Sequence, residues 1–199
     1  MHTFFIAILV LTSVVAITFI VERGMALRWN RVIPPGVQHS VEFYRTADQL
    51  PQLQQACTQN PSTAGRLLLF ASQHLEWSRT ETSEILETRA RHEVAQLERG
   101  LVVLEIIIGI APLMGLVGTI YGLIQLFGSM SSVTGVDSVK FAQGISTALY
   151  ATLLGLLVAI PALISWSYYS KKVENLTVEL ETMCDEFLRK HYHGAGVKK

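Results

Sequence analysis

Apolar residues in this chain gather in three long blocks almost free of charge, and between and beyond those blocks the apolar positions thin out to a helical period. Phe4 to Val21 is an uncharged run of about 18 residues, enough at roughly 1.5 Å per residue to cross a hydrocarbon core of about 30 Å. Ile106 to Phe127 and Phe141 to Tyr169 are two further blocks flanking a short polar turn, Gly128 to Lys140, and they predict a helical hairpin through the bilayer. The expected division is a first transmembrane helix in 1–21, a cytoplasmic helical domain in 22–100, a second transmembrane helix in 101–128, an external turn in 129–140, a third transmembrane helix in 141–169 and a cytoplasmic helical tail in 170–199.

Outside the blocks, Leu86, Ala90, Val94, Leu97, Leu101, Leu104 and Ile108 recur at spacings of 4, 4, 3, 4, 3 and 4, a single stripe running without a breaker into the second span. Val173, Leu176, Leu180, Met183 and Phe187 repeat the pattern below the third span. Two long helices packed side by side beyond the membrane follow from this spacing. Pro34-Pro35-Gly36 marks a linker, and helical patterns near Val41 to Cys57 and Ser62 to Trp77 are separated by Asn60-Pro61. Ser78-Arg-Thr-Glu81 fits a capping box. The fold class is therefore all-α: a polytopic membrane protein with three transmembrane helices, two of them extended into long cytoplasmic helices.

Composition narrows the function. Half of the residues are hydrophobic, 16% are charged, mean hydropathy is +0.36 and the formal net charge is zero. These values exclude a basic nucleic-acid-binding domain, a disordered chain and a disulfide scaffold. Of the 32 Asp, Glu, Lys and Arg residues, only Glu105, Asp137 and Lys140 fall in 1–21 or 101–169. Nine Lys and Arg lie in 22–100 and six in 170–199, against one in the turn and none before the first span. The positive-inside rule then puts the amino terminus and the turn on the external side and both 22–100 and the carboxyl-terminal tail in the cytoplasm. With nothing basic ahead of the first block and no small-residue cleavage site after it, that block is expected to be an uncleaved anchor.

Cys57 and Cys184 both fall on the reducing side, too far apart in sequence for a metal or redox motif. His191 and His193 sit in a tail expected to fray, and His39, His74 and His92 lie among polar residues, so they are expected at the surface. No metal and no cofactor is expected. No GxSxG elbow, P-loop, HExxH or paired carboxylates in a plausible cleft are present, so an enzyme is not expected.

The spans themselves carry two kinds of signal. Gly115, Gly118 and Gly122 in the second, with Gly144, Ala148, Ala151, Gly155, Ala159 and Ala162 in the third, make small-residue faces suited to close helix packing, here expected between copies of the hairpin. Pro112 and Pro161 lie inside the spans and predict kinks. The polar residues are Thr119 in the second span and Ser146, Thr147, Tyr150 and Thr152 in the third. Each hydroxyl either bonds back to its own helix or, for Thr119 and Thr152, faces a shared, narrow, partly hydrated lumen. No ionisable group sits at mid-membrane, so if protons cross here the titrating carrier comes from a partner.

Ile110-Ala-Pro-Leu-Met-Gly115-Leu-Val-Gly118-Thr-Ile-Tyr-Gly122, followed by Gly144-Ile-Ser-Thr-Ala-Leu-Tyr-Ala-Thr152-Leu-Leu-Gly-Leu-Leu-Val-Ala-Ile-Pro161-Ala, resembles the MotA/TolQ/ExbB proton channel family, nearest to its ExbB branch. The resemblance implies an inner-membrane homopentamer around two copies of an ExbD-like single-span protein whose membrane aspartate carries the proton. It also implies delivery of work across the periplasm through a TonB-like protein. By the same resemblance Thr119 and Thr152 match the family's lumen threonines. Thr147 stands where ExbB carries a glutamate, which removes a proton acceptor from the third span and leaves proton against sodium open. A TolQ-like or sodium-driven stator subunit is the alternative within the architecture, and a non-conducting oligomeric membrane scaffold the alternative outside it.

Overall fold

The computed structural model describes residues 2–130 and 138–195. Most of the expected turn, Asp137 included, lies outside the described residues. In order the elements are α1 (His2–Ala26), α2 (Trp29–Val32), α3 (Pro35–Phe43), a single 3-10 turn (Ala47–Gln49), α4 (Leu50–Gln59), α5 (Thr63–Gln73), α6 (Arg79–Glu98), α7 (Leu101–Met130) and α8 (Ser138–Ala195). Among the described residues there is no strand, and three helices are long and apolar enough to cross a membrane. The protein is an all-α polytopic membrane protein.

The chain divides into two compact units, one of Met1–Arg23 with Gly100–Tyr168 and one of Gly24–Arg99 with Tyr169–Lys199. In the first, the three spans meet through small side chains: Ala16 of α1, Ile107 and Ala111 of α7, and Ala159 and Ala162 of α8 form a buried cluster. The outer faces stay apolar, with Leu11, Leu113, Ile124 and Ile164 at 60% exposure or more. Such a surface suits hydrocarbon and no aqueous setting. Thr12 and Thr18 donate their hydroxyls to the carbonyls of Ile8 and Val14 at 2.8 Å, which satisfies both within α1.

The stripe from Leu86 to Ile108 is buried or half-buried throughout, but the helix expected to carry it unbroken has a two-residue gap. α6 ends at Glu98 and α7 begins at Leu101. Gly100 falls in this gap; it is buried with the Arg23 side chain in the space a Cβ would occupy, and glycine weakens a helix interior. By contrast α8 does run on from the third span. Its 58 residues extend about 87 Å, well past the roughly 30 Å hydrocarbon core.

In the second unit, α8 presents Val173, Leu176, Leu180, Met183 and Phe187 to the interior, each 6% exposed or less. Val37 and Val41 of α3, Leu53 and Cys57 of α4, and Leu67, Leu68 and Ala71 of α5 are buried in the same unit, and the Tyr44 ring meets Phe187 edge-on at 5.1 Å. Two expectations are corrected here. Pro34-Pro35-Gly36 is no linker, since Pro35 opens α3, a position where its missing N–H costs nothing. The pattern from Val41 to Cys57 is not one helix either: the chain leaves α3 at Tyr44 and restarts through Thr46, whose capping box with Gln49 precedes Pro51 in the first turn of α4. The Ser78 and Glu81 capping box forms, with the Glu81 N–H donating to Ser78 Oγ at 3.3 Å and the Ser78 N–H to Glu81 Oε2 at 3.1 Å.

Candidate ion-pathway site between the second and third membrane helices

Glycines set the distance between α7 and α8. A Cβ on Gly115 would stand 2.8 Å from the Ala151 carbonyl oxygen and 2.9 Å from Thr152 Cα. One on Gly118 would meet Ala151 Cβ at 2.8 Å, and one on Gly122 would meet Ala148 Cβ at 3.0 Å. From the other side, Gly155 lies against the Ala111 carbonyl and Gly144 against Leu126. Ascending positions on α7 meet descending positions on α8, so the pair is antiparallel. The small-residue faces expected between copies are thus used within one chain's own hairpin.

That close approach brings two hydroxyls together. Thr119 Oγ1 and Thr152 Oγ1 are 2.5 Å apart, half-buried in the seam. Thr119 Oγ1 also lies 3.2 Å from the Gly115 carbonyl oxygen and 3.0 Å from that of Ala148, and Thr152 Oγ1 lies 3.3 Å from that of Gly115. Each hydroxyl has one hydrogen to donate, so the pair has two self-consistent orderings. In one, Thr152 donates to Thr119, which donates to a carbonyl; in the other, Thr119 donates to Thr152, which donates to Gly115. Reversing the order moves hydrogen-bond polarity along the seam without creating a charge.

Thr147 is not part of this pair. It precedes Thr152 by five positions, about 140° round the helix, and its hydroxyl donates to the Gln143 carbonyl at 2.8 Å on an exposed face. Ser146 and Tyr150 are exposed as well. Pro112 and Pro161 lie inside α7 and α8, which continue past them. Glu105 is exposed near the start of α7, and among the described residues no group of three or more His, Cys, Asp and Glu is arranged to hold a metal ion.

Sequence reasoning missed two clusters in the second unit. Glu93 is 1% exposed and held by Arg66 at 2.5 Å and Arg89 at 3.1 Å. Its signal was available, since Glu93 stands seven positions after Leu86 on the same helical face. His191, expected in a frayed tail, is instead half-buried within α8, its Nδ1 2.7 Å from the Tyr44 hydroxyl. Burial pushes the His191 pKa down and that of Tyr44 up. Cys57 and Cys184 are buried free thiols, their pKa values pushed up by burial to about 11 and about 12.

The model of the MotA/TolQ/ExbB proton channel family matches residues 61–182, from the start of α5 through both hairpin spans into the tail of α8. The chain is 29% identical over 192 residues to the Tol-Pal system protein TolQ of Pseudomonas aeruginosa, a match covering 90% of this chain and 82% of that one. It is 35% identical over 171 residues to the biopolymer transport protein ExbB-like 1 of Synechocystis, covering 78% and 63% respectively. Against the biopolymer transport protein ExbB of Helicobacter pylori it is 38% identical over 87 residues, covering 44% and 60%. The hairpin that carries the threonine pair lies wholly inside the matched region, and this chain belongs to the MotA/TolQ/ExbB proton channel family.

Proposed function

We propose that the chain is an ExbB-like subunit of a bacterial inner-membrane proton channel, which uses the proton motive force with an ExbD-like partner to energise TonB-dependent transport across the outer membrane. The observation that carries this reading is the Thr119 and Thr152 pair in spans that hold no mid-membrane acid or base. A hydroxyl pair can pass hydrogen-bond polarity but cannot store a proton, so the carrier is a carboxylate on the partner. Moving one charge through 100 mV releases about 2.3 kcal/mol, enough to drive a step of that partner. In this reading five copies form the ring, the amino terminus is periplasmic, and residues 22–100 and 170–199 are cytoplasmic. A TolQ-like role in the same architecture is favoured by one specific observation, the match to TolQ over 90% of the chain.

The test is T119V and T152V. Valine keeps the shape and removes the hydroxyl at a cost of about 0.6 kcal/mol, the average for a hydrogen bond between membrane helices. Proton uptake by vesicles carrying the complex is expected to be abolished while the oligomer stays intact. Undiminished uptake in both variants would contradict the assignment of the pair to the pathway. Deletion of the chain separates the two roles: loss of outer-membrane nutrient uptake marks the ExbB-like one, and leakage of the outer membrane marks the TolQ-like one.

A further inference from the structure

Three cations with no part in the hydroxyl pair gather in the second unit, where α1 closes and α8 continues beyond its uncharged stretch. α1 ends at Ala26, Arg28 precedes α2, and Arg31 lies in its last turn. On α8, Lys171 and Lys172 follow the uncharged stretch that closes at Ser170. Gly24 leaves room for the Tyr169 phenol, whose oxygen would stand 2.8 Å from a Cβ there, so the end of α1 and this stretch of α8 lie side by side. Between them opens a groove of about 670 Å³ lined by Met25, Arg28, Trp29, Asn30, Arg31 and Lys172. That volume lies in the range of sites that hold small ligands, about 300 to 1,000 Å³.

The lining carries three positive charges and no carboxylate. Arg28 and Arg31 are exposed and make no ion pair among the described residues, and the next acid along α8, Glu174, is engaged by Lys171 at 2.8 Å. Met25 and Trp29 are also open, at 49% and 42% exposure. A tryptophan and a methionine beside paired guanidinium groups, within a few residues of two spans, match the headgroup layer, where the ring sits among glycerol and the cations reach phosphate. A soluble phosphate would satisfy the two arginines and leave the two apolar side chains facing water.

We infer that this groove binds the headgroup of an anionic phospholipid, with Arg28 and Arg31 on the phosphate and Trp29 and Met25 against the upper acyl chain. The site needs the spans to be spans, and does not depend on the chain being a motor subunit. A basic flank that only sets orientation would attract anionic lipid diffusely. A built groove holds it by the forked donors of arginine, which lysine does not reproduce.

The experiment is native mass spectrometry of the detergent-extracted complex with phosphatidylglycerol or phosphatidylcholine added. Wild type is expected to retain phosphatidylglycerol in preference, and R28Q/R31Q to lose about 30-fold of that preference. R28K/R31K keeps the orientation signal, so the membrane insertion of this variant is secure even if the glutamine variant fails to insert. Its retention is expected to fall clearly below wild type. Equal retention of the two lipids by wild type would overturn the proposal, as would full retention by R28K/R31K. Displacement of the lipid by millimolar glycerol phosphate would overturn it in favour of a soluble ligand.

Discussion

A hydroxyl has one hydrogen to give, and that limit governs what Thr119 and Thr152 do. Their 2.5 Å contact and the shared Gly115 carbonyl let the pair change direction but not charge. The other informative single residues lie outside the spans. Glu93 is buried between two half-exposed arginines, so Glu93→Ala leaves two guanidinium groups without their anion. A loss of about 2 to 3 kcal/mol is expected, below the usual cost of breaking a fully buried pair because both arginines reach solvent. Chemical denaturation of the extracted protein, followed by Trp77 fluorescence in the same unit, measures it. Burial holds the His191 pKa down, so as pH falls the unfolded chain takes up the proton first. Stability from this group is complete above its unfolded value of about 6.5 and is lost as pH drops from there towards the lower folded value. The denaturation midpoint should therefore fall below about pH 6.5, and H191N should flatten that fall, with Tyr44 and Tyr192 its ring neighbours. Buried thiols with pKa values near 11 and 12 hold almost no thiolate at pH 7.5, so Cys57 and Cys184 should resist maleimide in the native protein and react fully in denaturant.

Among the elements, what could be read in advance follows how local the cause is. The Ser78 capping box and the α8 stripe form as their spacing predicts, because a hydroxyl and glutamate three apart, or leucines three and four apart, act within one helix. The helix start at Pro35 depends on that position's exact role and is not legible from periodicity. The small-residue faces were legible as packing surfaces but not as belonging to one chain's own hairpin, since a motif names a surface and not its partner. Gly115 is the sharpest test at this scale. G115A places a methyl against the Ala151 carbonyl and Thr152 Cα, and overpacking of this kind costs about 1 to 3 kcal/mol. Thermal unfolding of the extracted protein should shift down accordingly.

For the whole molecule, three charge-poor blocks and the order of two membrane motifs were enough to reach the family. Of the candidate site, the two span threonines Thr119 and Thr152 were legible in the sequence; Thr147 lies about 140° round the helix from Thr152, outside their contact. Nothing in one chain displays the titrating group, because the spans contain none at mid-membrane. In the proposed channel a partner therefore brings it. The most direct test of that partnership is the native mass of the complex extracted gently from its own membranes through a tag at the carboxyl terminus. A ring of identical chains holding a small single-span protein with a membrane aspartate is the predicted result. A bare oligomer of this chain in every mild detergent would contradict it, and would leave the two threonines as hydrogen bonds that hold a hairpin together.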